Sequence, residues 1–472
     1  MRRFPKYASF RGSMVMVGFG SIGQGVLPLL LRHLEIRPAQ ISILAGDEDG
    51  RAVAAELGVE FAATPLLPDN YRALLAPRLA PGDFLVNVAN DVSSAALIAV
   101  CRDRGALYID TCIEPWAGGY TDASTSPRER TNYALREAAL ALGRRNGRGP
   151  TAILTHGANP GLVSHFVKQA LLDVAAATGA RPAVPATREA WARLARDLGV
   201  KAIHIAERDT QVAHPRKAPG EFVNTWSVEG FVGEACQPAE LGWGTSERHF
   251  PPDGHRHASG SRAAIYLDRP GAATLVRSWT PLSGPMQASL ITHGESISIA
   301  DYLTLGAPEA PEYRPTVHYA YHPCDDTVLS VGELAARNWE APERRRVLKD
   351  DLVEGVDELG VLLMGHARGA YWYGSRLSLD EARRLAPHNS ATSLQVTAAV
   401  LAGIVWALRN PQEGVVEPEQ LDWQLVLEIA RPYLGRVVGV WSDWTPLSGR
   451  ARLFPEELDA GDPWQFTNFR VS

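Results

Sequence analysis

Acidic and aromatic side chains interleave closely between residues 207 and 247. Glu207-Arg208-Asp209 is followed by Trp226-Ser227-Val228-Glu229, then by Glu234, Glu240, Trp243 and Glu247. Carboxylates hold ammonium groups through charge-assisted hydrogen bonds, and an indole face attracts a cation by about 0.5–2 kcal/mol. The mixture suits a cationic substrate, although each residue alone also reads as a solvated acid or a core tryptophan. Glu114 and Trp116 add an acid and an indole upstream. Acid–base groups are offered by His156, His293, His318, His322 and His366. His293, where the run Ile291-Thr292 ends, is the best placed of these for proton transfer. His318 and His322 have the spacing of helix-borne metal ligands. Val317 to Tyr321 has strand character, however, and Pro323 follows at once, so the two do not share a helix face and no metal is expected. Lys168, on a helix of ordinary surface patterning, and Lys201 are the candidate Schiff-base amines.

Elements must bring these groups to one place, and a glycine loop near the N-terminus is the first of them. Met14 to Val17 suits a buried strand, and glycines at 18, 20 and 23 form G-x-G-x-x-G before a helix expected over Gln24 to His33. Gly18 permits the tight turn, Gly20 lets backbone approach a pyrophosphate, and Gly23 lets helix and strand pack closely. Ser21 and Ile22 complete this cofactor-binding set. A second strand, Gln40 to Leu44, runs into Ala45-Gly46-Asp47. Asp47 is the candidate ribose-binding acid, and NAD or NADP stays open. Phe84 to Val88 delivers Asn90 and Asp91 to the same sheet edge. Ala106 to Asp110 delivers Thr111 and Glu114, and Thr151 to Thr155 delivers His156 to Gly161. With helices over Gly50 to Leu57, Ser94 to Arg102 and Thr131 to Arg145, the alternation predicts a Rossmann-like, doubly wound parallel sheet over residues 1–155, ending after the Asn146–Pro150 loop.

The remaining residues, 156–472, read as a second, α+β domain for substrate binding and dimerisation. A helix over Leu162 to Leu172, a linker over Arg181 to Pro185 and an amphipathic helix over Arg188 to Asp197 precede runs such as Phe222 to Trp226 and Ser289 to Thr292. These suggest a mostly antiparallel sheet. Segment 381–408 returns to helix and is expected to pack back on the first domain. The hexapeptide Trp-Thr-Pro-Leu-Ser-Gly occurs at 279–284 and 444–449, which suits two similar strand-to-turn corners. At 472 residues the chain is long enough for these two domains. A net charge of −6 without a basic block argues against a nucleic-acid partner. Four scattered cysteines without a C-x-x-C pair read as reduced thiols in the cytoplasm. Met1 to Ser13 lacks the apolar core of a signal peptide. Val396 to Leu408 is too short to span a bilayer and reads as a buried helix.

Several longer stretches resemble the bacterial homospermidine synthases, NAD-dependent enzymes related to saccharopine-reductase-like oxidoreductases. They are Gly18-Phe19-Gly20-Ser21-Ile22-Gly23, Tyr108-Ile109-Asp110-Thr111 with Glu114-Pro115-Trp116, and Gly157-Ala158-Asn159-Pro160-Gly161. Further on come His204 to Thr210, Asn224 to Phe231, Trp372-Tyr373-Gly374-Ser375 and Asp462 to Phe466. The resemblance implies that two putrescines, or putrescine and spermidine, are joined to homospermidine with loss of ammonia or 1,3-diaminopropane. It also implies NAD as a prosthetic hydride carrier and a homodimer that binds no membrane. By motif, Trp226 resembles a cation–π residue, Glu207 and Glu234 ammonium-binding carboxylates, and Glu114 a group near the reacting amine. His293 resembles a polar active-site partner, and Asp357 the anchor of the far ammonium. Asn159 and Pro160 resemble residues at the nicotinamide, with Asn90, Asp91 and Thr111 at the cofactor edge. One alternative is a net imine-reducing dehydrogenase of the saccharopine or carboxyspermidine type, whose substrate carboxylate would need an arginine clamp. Another is a nucleotide-sensing regulatory protein, which would need no acid–aromatic pocket.

Overall fold

Met14–Val17 (β1) is buried along its whole length, as consecutive apolar residues require of a strand covered by helices on both faces. The structure is a computed structural model and describes residues 4–146, 148–180 and 183–471. Gly147 of the boundary loop and Arg181 and Pro182 of the linker lie outside the described residues. Beside β1 stand Ile41–Ala45 (β2), Glu60–Ala63 (β3), Phe84–Asn87 (β4), Leu107–Asp110 (β5) and Ala152–Ile153 (β6). All are parallel, in the order β3-β2-β1-β4-β5-β6. The winding reverses between β1 and β4, which opens a crevice at the carboxyl ends of those two strands. Strand Val415–Val416 extends the sheet beyond β6, so a late segment joins the first domain's sheet. The helix after β1, Ser21–His33 (α1), starts three residues earlier than expected, immediately beyond Gly20. Asn132–Asn146 (α2) precedes β6.

After Leu162–Ala177 (α3), the chain builds a ten-stranded sheet. Its centre comprises Ala202–Asp209 (β7), Pro238–Gly242 (β8), Thr316–His322 (β9), Val356–Met364 (β10), Ala370–Ser378 (β11) and Arg436–Ser442 (β12), in the order β8-β9-β7-β10-β11-β12. Pairing is antiparallel throughout except between β7 and β9. Two expected strands differ. Glu221–Asn224 stands outside this sheet, paired in parallel with Arg344–Val347. Trp226 lies past its end, because Ser227 caps the helix Val228–Cys236 (α4) by accepting the Gly230 N–H. Pairing in the second run stops at Ser289, and the chain turns into Gly294–Tyr302 (α5).

Alternation along β7, β9 and β10 decides what each face carries. Glu207 pairs with Tyr321, and Asp209 with Asp357, all on one face. His204 and His318 fall on the other, their rings 3.9 Å apart and tilted at 36°, and both pack on Phe469. The acidic face is covered by Ala391–Arg409 (α6), which also packs on α1 and β5 of the first domain. The approach to α1 is close: a Cβ on Gly25 would lie 2.4 Å from Asn389 Oδ1. At 19 residues α6 is longer than the apolar run suggested and apolar enough to cross a membrane, but 89% of that window is buried inside the protein. Trp279 and Trp444, which open the repeated hexapeptides, meet in one apolar cluster. Lys168 is not on a solvated helix face. It is buried against Trp191 and Tyr302 and donates to the Glu419 carbonyl at 2.6 Å, and burial lowers its pKa to about 8. Lys201 pairs with Asp462 at 2.8 Å.

Candidate active site

The crevice at β1 and β4 has the form that a dinucleotide requires. Gly18 has φ +83°, and a Cβ there would lie 2.6 Å from the Ala89 nitrogen. A Cβ on Gly23 would meet the Gly18 carbonyl at 3.0 Å, so helix and turn pack as closely as the motif predicts. Gly20 has no atom within 4 Å of its missing Cβ, so space lies open before the N-terminus of α1, where backbone N–H groups can face an anion. The glycines therefore fit the pyrophosphate of a dinucleotide. Asn90 and Asp91 occupy the exposed turn after β4, with Asp91 at φ 61°. Two bonds tie the loop at Trp226 to these cofactor turns: the Ser21 hydroxyl donates to the Trp226 carbonyl, and Asn90 Nδ2 donates to Ser227 Oγ at 2.8 Å. Asp47 accepts the Asp49 N–H at 3.0 Å beyond β2.

Next to this crevice a cavity lies between the edge of the first sheet and the acidic face of the second. Ile22, Thr111, Asn159 and Pro160 line it from the cofactor side, and Glu207, Trp226, Glu234 and His293 from the other. Glu114 is buried behind the wall, its carboxylate accepting the Asp91 N–H at 3.4 Å. Asp357 is also set back: fully buried and not itself lining the cavity, it accepts from the hydroxyl of Thr392, which does. Tyr319, Tyr321, Cys112 and Thr392 join the lining, and Glu295 stands behind His293. The spacing of residues 207–247 did not point to these. Alternation within β9 could have identified the tyrosines.

Contacts inside the cavity are specific. Glu207 Oε2 accepts from Tyr319 at 2.5 Å and from Asn159 Nδ2 at 2.8 Å. His293 lies between two acids, with Nε2 2.9 Å from Glu234 and Nδ1 3.3 Å from Glu295. Cys112 Sγ points to the other oxygen of Glu234 at 3.5 Å. Burial alone would lower the His293 pKa, but Glu234 and Glu295 raise it well above its ordinary value, so the ring is an imidazolium. Burial, with some relief from Tyr319 and Asn159, lifts Glu207 to about 7. Glu114 is pushed well up by burial and by the charge of Glu234. Asp357 is likewise raised, by burial and then by Glu207 and Asp209. Buried carboxylates in such excess call for cations from outside. Among the described residues, no cluster of histidine, cysteine and acid has the form of a metal site.

Sequence and structure comparisons agree with this architecture. The family model for the saccharopine dehydrogenase NADP binding domain matches residues 14–153, and that for the saccharopine dehydrogenase C-terminal domain matches residues 157–441. A homospermidine synthase from Blastochloris viridis is 53% identical, with the whole of both chains aligned. One from Mesorhizobium japonicum is 50% identical over 99% of this chain and 98% of its own. The solved structure of the Legionella pneumophila homospermidine synthase in complex with NAD is 48% identical, superposes with a TM-score of 0.92 and covers 98% of each chain. Identity of about half, over nearly the whole of each chain, shows that the chain belongs to the homospermidine synthase family.

Proposed function

We propose that this chain joins two putrescines into homospermidine with release of ammonia, or putrescine and spermidine with release of 1,3-diaminopropane. The carrying observation is the cavity wall, where Glu207, Glu234 and the Trp226 indole stand beside a dinucleotide turn with no arginine or lysine in the lining among the described residues. A saccharopine-type substrate brings a carboxylate that this wall would leave unpaired. The amine-bearing carbon must lose and regain a hydride with no net redox change, and NAD, which the Legionella relative carries, supplies that chemistry when bound along Gly18–Gly23.

The remaining work falls to side chains. Glu234, itself held by the His293 imidazolium, fixes the reacting amine close to the cofactor edge, and Trp226 offers its face to the charged substrate carbon. Glu207 receives both of its protein donors on Oε2, which leaves Oε1 for substrate. With its pKa near 7 it can take a proton from an ammonium and return it. Glu114, held neutral, has a proton to give to the departing amine. Asp357 and Thr392 attract the far ammonium. The four free cysteines support a cytoplasmic setting, and the family resemblance supports a homodimer.

Incubation with putrescine and NAD tests the reading, with amines, ammonia and NADH measured together. Homospermidine and ammonia should form in equal amounts without accumulating NADH. Stoichiometric NADH without triamine would sink it.

A further inference from the structure

Three nearly parallel rings line one wall of the cavity. His293 stacks on Tyr319 with centroids 4.5 Å apart and planes at 29°, and Tyr319 stacks on Tyr321 at 5.1 Å and 14°. The first two rings each meet a carboxylate, Glu234 at His293 and Glu207 at Tyr319. The third does not. The Tyr321 hydroxyl is buried and has no hydrogen-bond partner among the described residues, and the same is true of Asp357 Oδ1. Tyr321 nevertheless lines the cavity, next to Thr392, whose hydroxyl already serves the other oxygen of Asp357. A buried hydroxyl or carboxylate oxygen left unpaired carries a desolvation penalty. Two of them on one sheet face, on the same side of the Glu207–Tyr319 bond, mark where a donor is missing. An ammonium has three donors and no acceptor, so it can satisfy a phenol lone pair and a carboxylate together.

We propose that Tyr321 is a specificity-determining residue. Its hydroxyl accepts a hydrogen bond from the terminal ammonium farthest from His293, and Asp357 Oδ1 accepts a second. The ring ladder gives the substrate three stations in a row, each ending in a polar atom, and Tyr321 makes the third selective for an amine over a methyl group. The inference rests on the polyamine reading above.

The test compares two ligands on the NAD-loaded protein by calorimetry: homospermidine, and its analogue N-butylputrescine, in which a terminal amine is missing. Wild type should bind homospermidine at least about tenfold more tightly, the usual worth of a hydrogen bond to a charged group. Tyr321→Phe should lose most of that preference while binding the analogue as wild type does. In turnover its KM for putrescine should rise much more than its kcat falls. Equal loss for both ligands, no loss for either, or no preference in wild type would each overturn the role of Tyr321. The polyamine reading fails separately, if wild type forms no homospermidine from putrescine.

Discussion

His293 donates from both ring nitrogens only while it carries its second proton, and Glu295 is, after Glu234, the second acid that keeps it there. Glu295 Oε1 faces the His293 ring at 3.3 Å, and Oε2 has no hydrogen-bond partner among the described residues. The other ionisable groups around the ring are Glu234, Tyr319, Glu207 and, one step away, Cys112 and Glu114. Replacing Glu295 by glutamine keeps the shape and removes one of the two charges that hold the His293 pKa up against burial. Lowered, that pKa falls toward the working range, and the imidazolium is lost as pH rises through it. Glu295→Gln should therefore reduce kcat/KM by about tenfold, a fraction of the roughly 10²–10⁴-fold that an acid–base group contributes in full. Its decline in kcat/KM should also begin at lower pH than in wild type. A variant with the wild-type profile would show that Glu234 suffices. Glu295 is the nearest acid to His293 in the sequence, yet no local pattern pairs the two, because only the fold turns its side chain back on the ring. In β9 the conspicuous pattern is the spacing of His318 and His322, but alternation buries His318 on the opposite face and gives Tyr319 and Tyr321 the cavity.

At the scale of elements, β1, β4 and β5 were legible because each is a run of apolar residues ended by glycine or polar groups, the pattern of a buried parallel strand. Strand β3 was not, since Glu60-Phe61-Ala62-Ala63 lies at the sheet edge, partly exposed and without a continuous apolar signal. The pairing of Val415–Val416 with β6 joins residues more than two hundred and fifty apart, and no local pattern encodes it. The glycine turn lets fold and function be separated by mutation. In Gly18→Ala the side chain enters a left-handed conformation that costs about 1–2 kcal/mol and collides with the turn that carries Asn90. Stability and dinucleotide binding should fall together. In Gly20→Ala the new methyl meets nothing in the protein, so the melting temperature without cofactor should stay within a degree or two. It occupies the space left for the pyrophosphate, so NAD affinity, measured by calorimetry, should drop more than about tenfold. Loss of stability in both variants, or of affinity in neither, would contradict the loop's assigned work.

Across the whole molecule, two domains close on a row of acids with too few cations among them, held between the second sheet and α6. Glu207 shows what that arrangement costs. Its pKa near 7 lies above the ordinary 4.5, so between these values the folded protein binds more protons than the unfolded chain. The contribution of Glu207 to stability is therefore unaffected below about pH 4.5 and falls as pH rises toward 7, by order of 3 kcal/mol at pH 8. Glu114 and Asp357, raised in the same direction, add to the slope. An ammonium placed against Oε1 reverses it, since the charge that burial penalises becomes the charge the ligand needs. Glu207→Gln can still accept from Tyr319 and Asn159 through its amide oxygen, and it carries no charge at any pH. Without ligand it should melt at a higher temperature than wild type at pH 8 and at nearly the same temperature at pH 5, while activity falls more than about a hundredfold. Homospermidine should then raise the melting temperature of wild type far more than that of the variant. If Glu207→Gln is no more stable at pH 8, or is stabilised equally at both pH values, the strain assigned to the empty acidic face is absent. The carboxylates would then be paired within the protein rather than held ready for a polyamine.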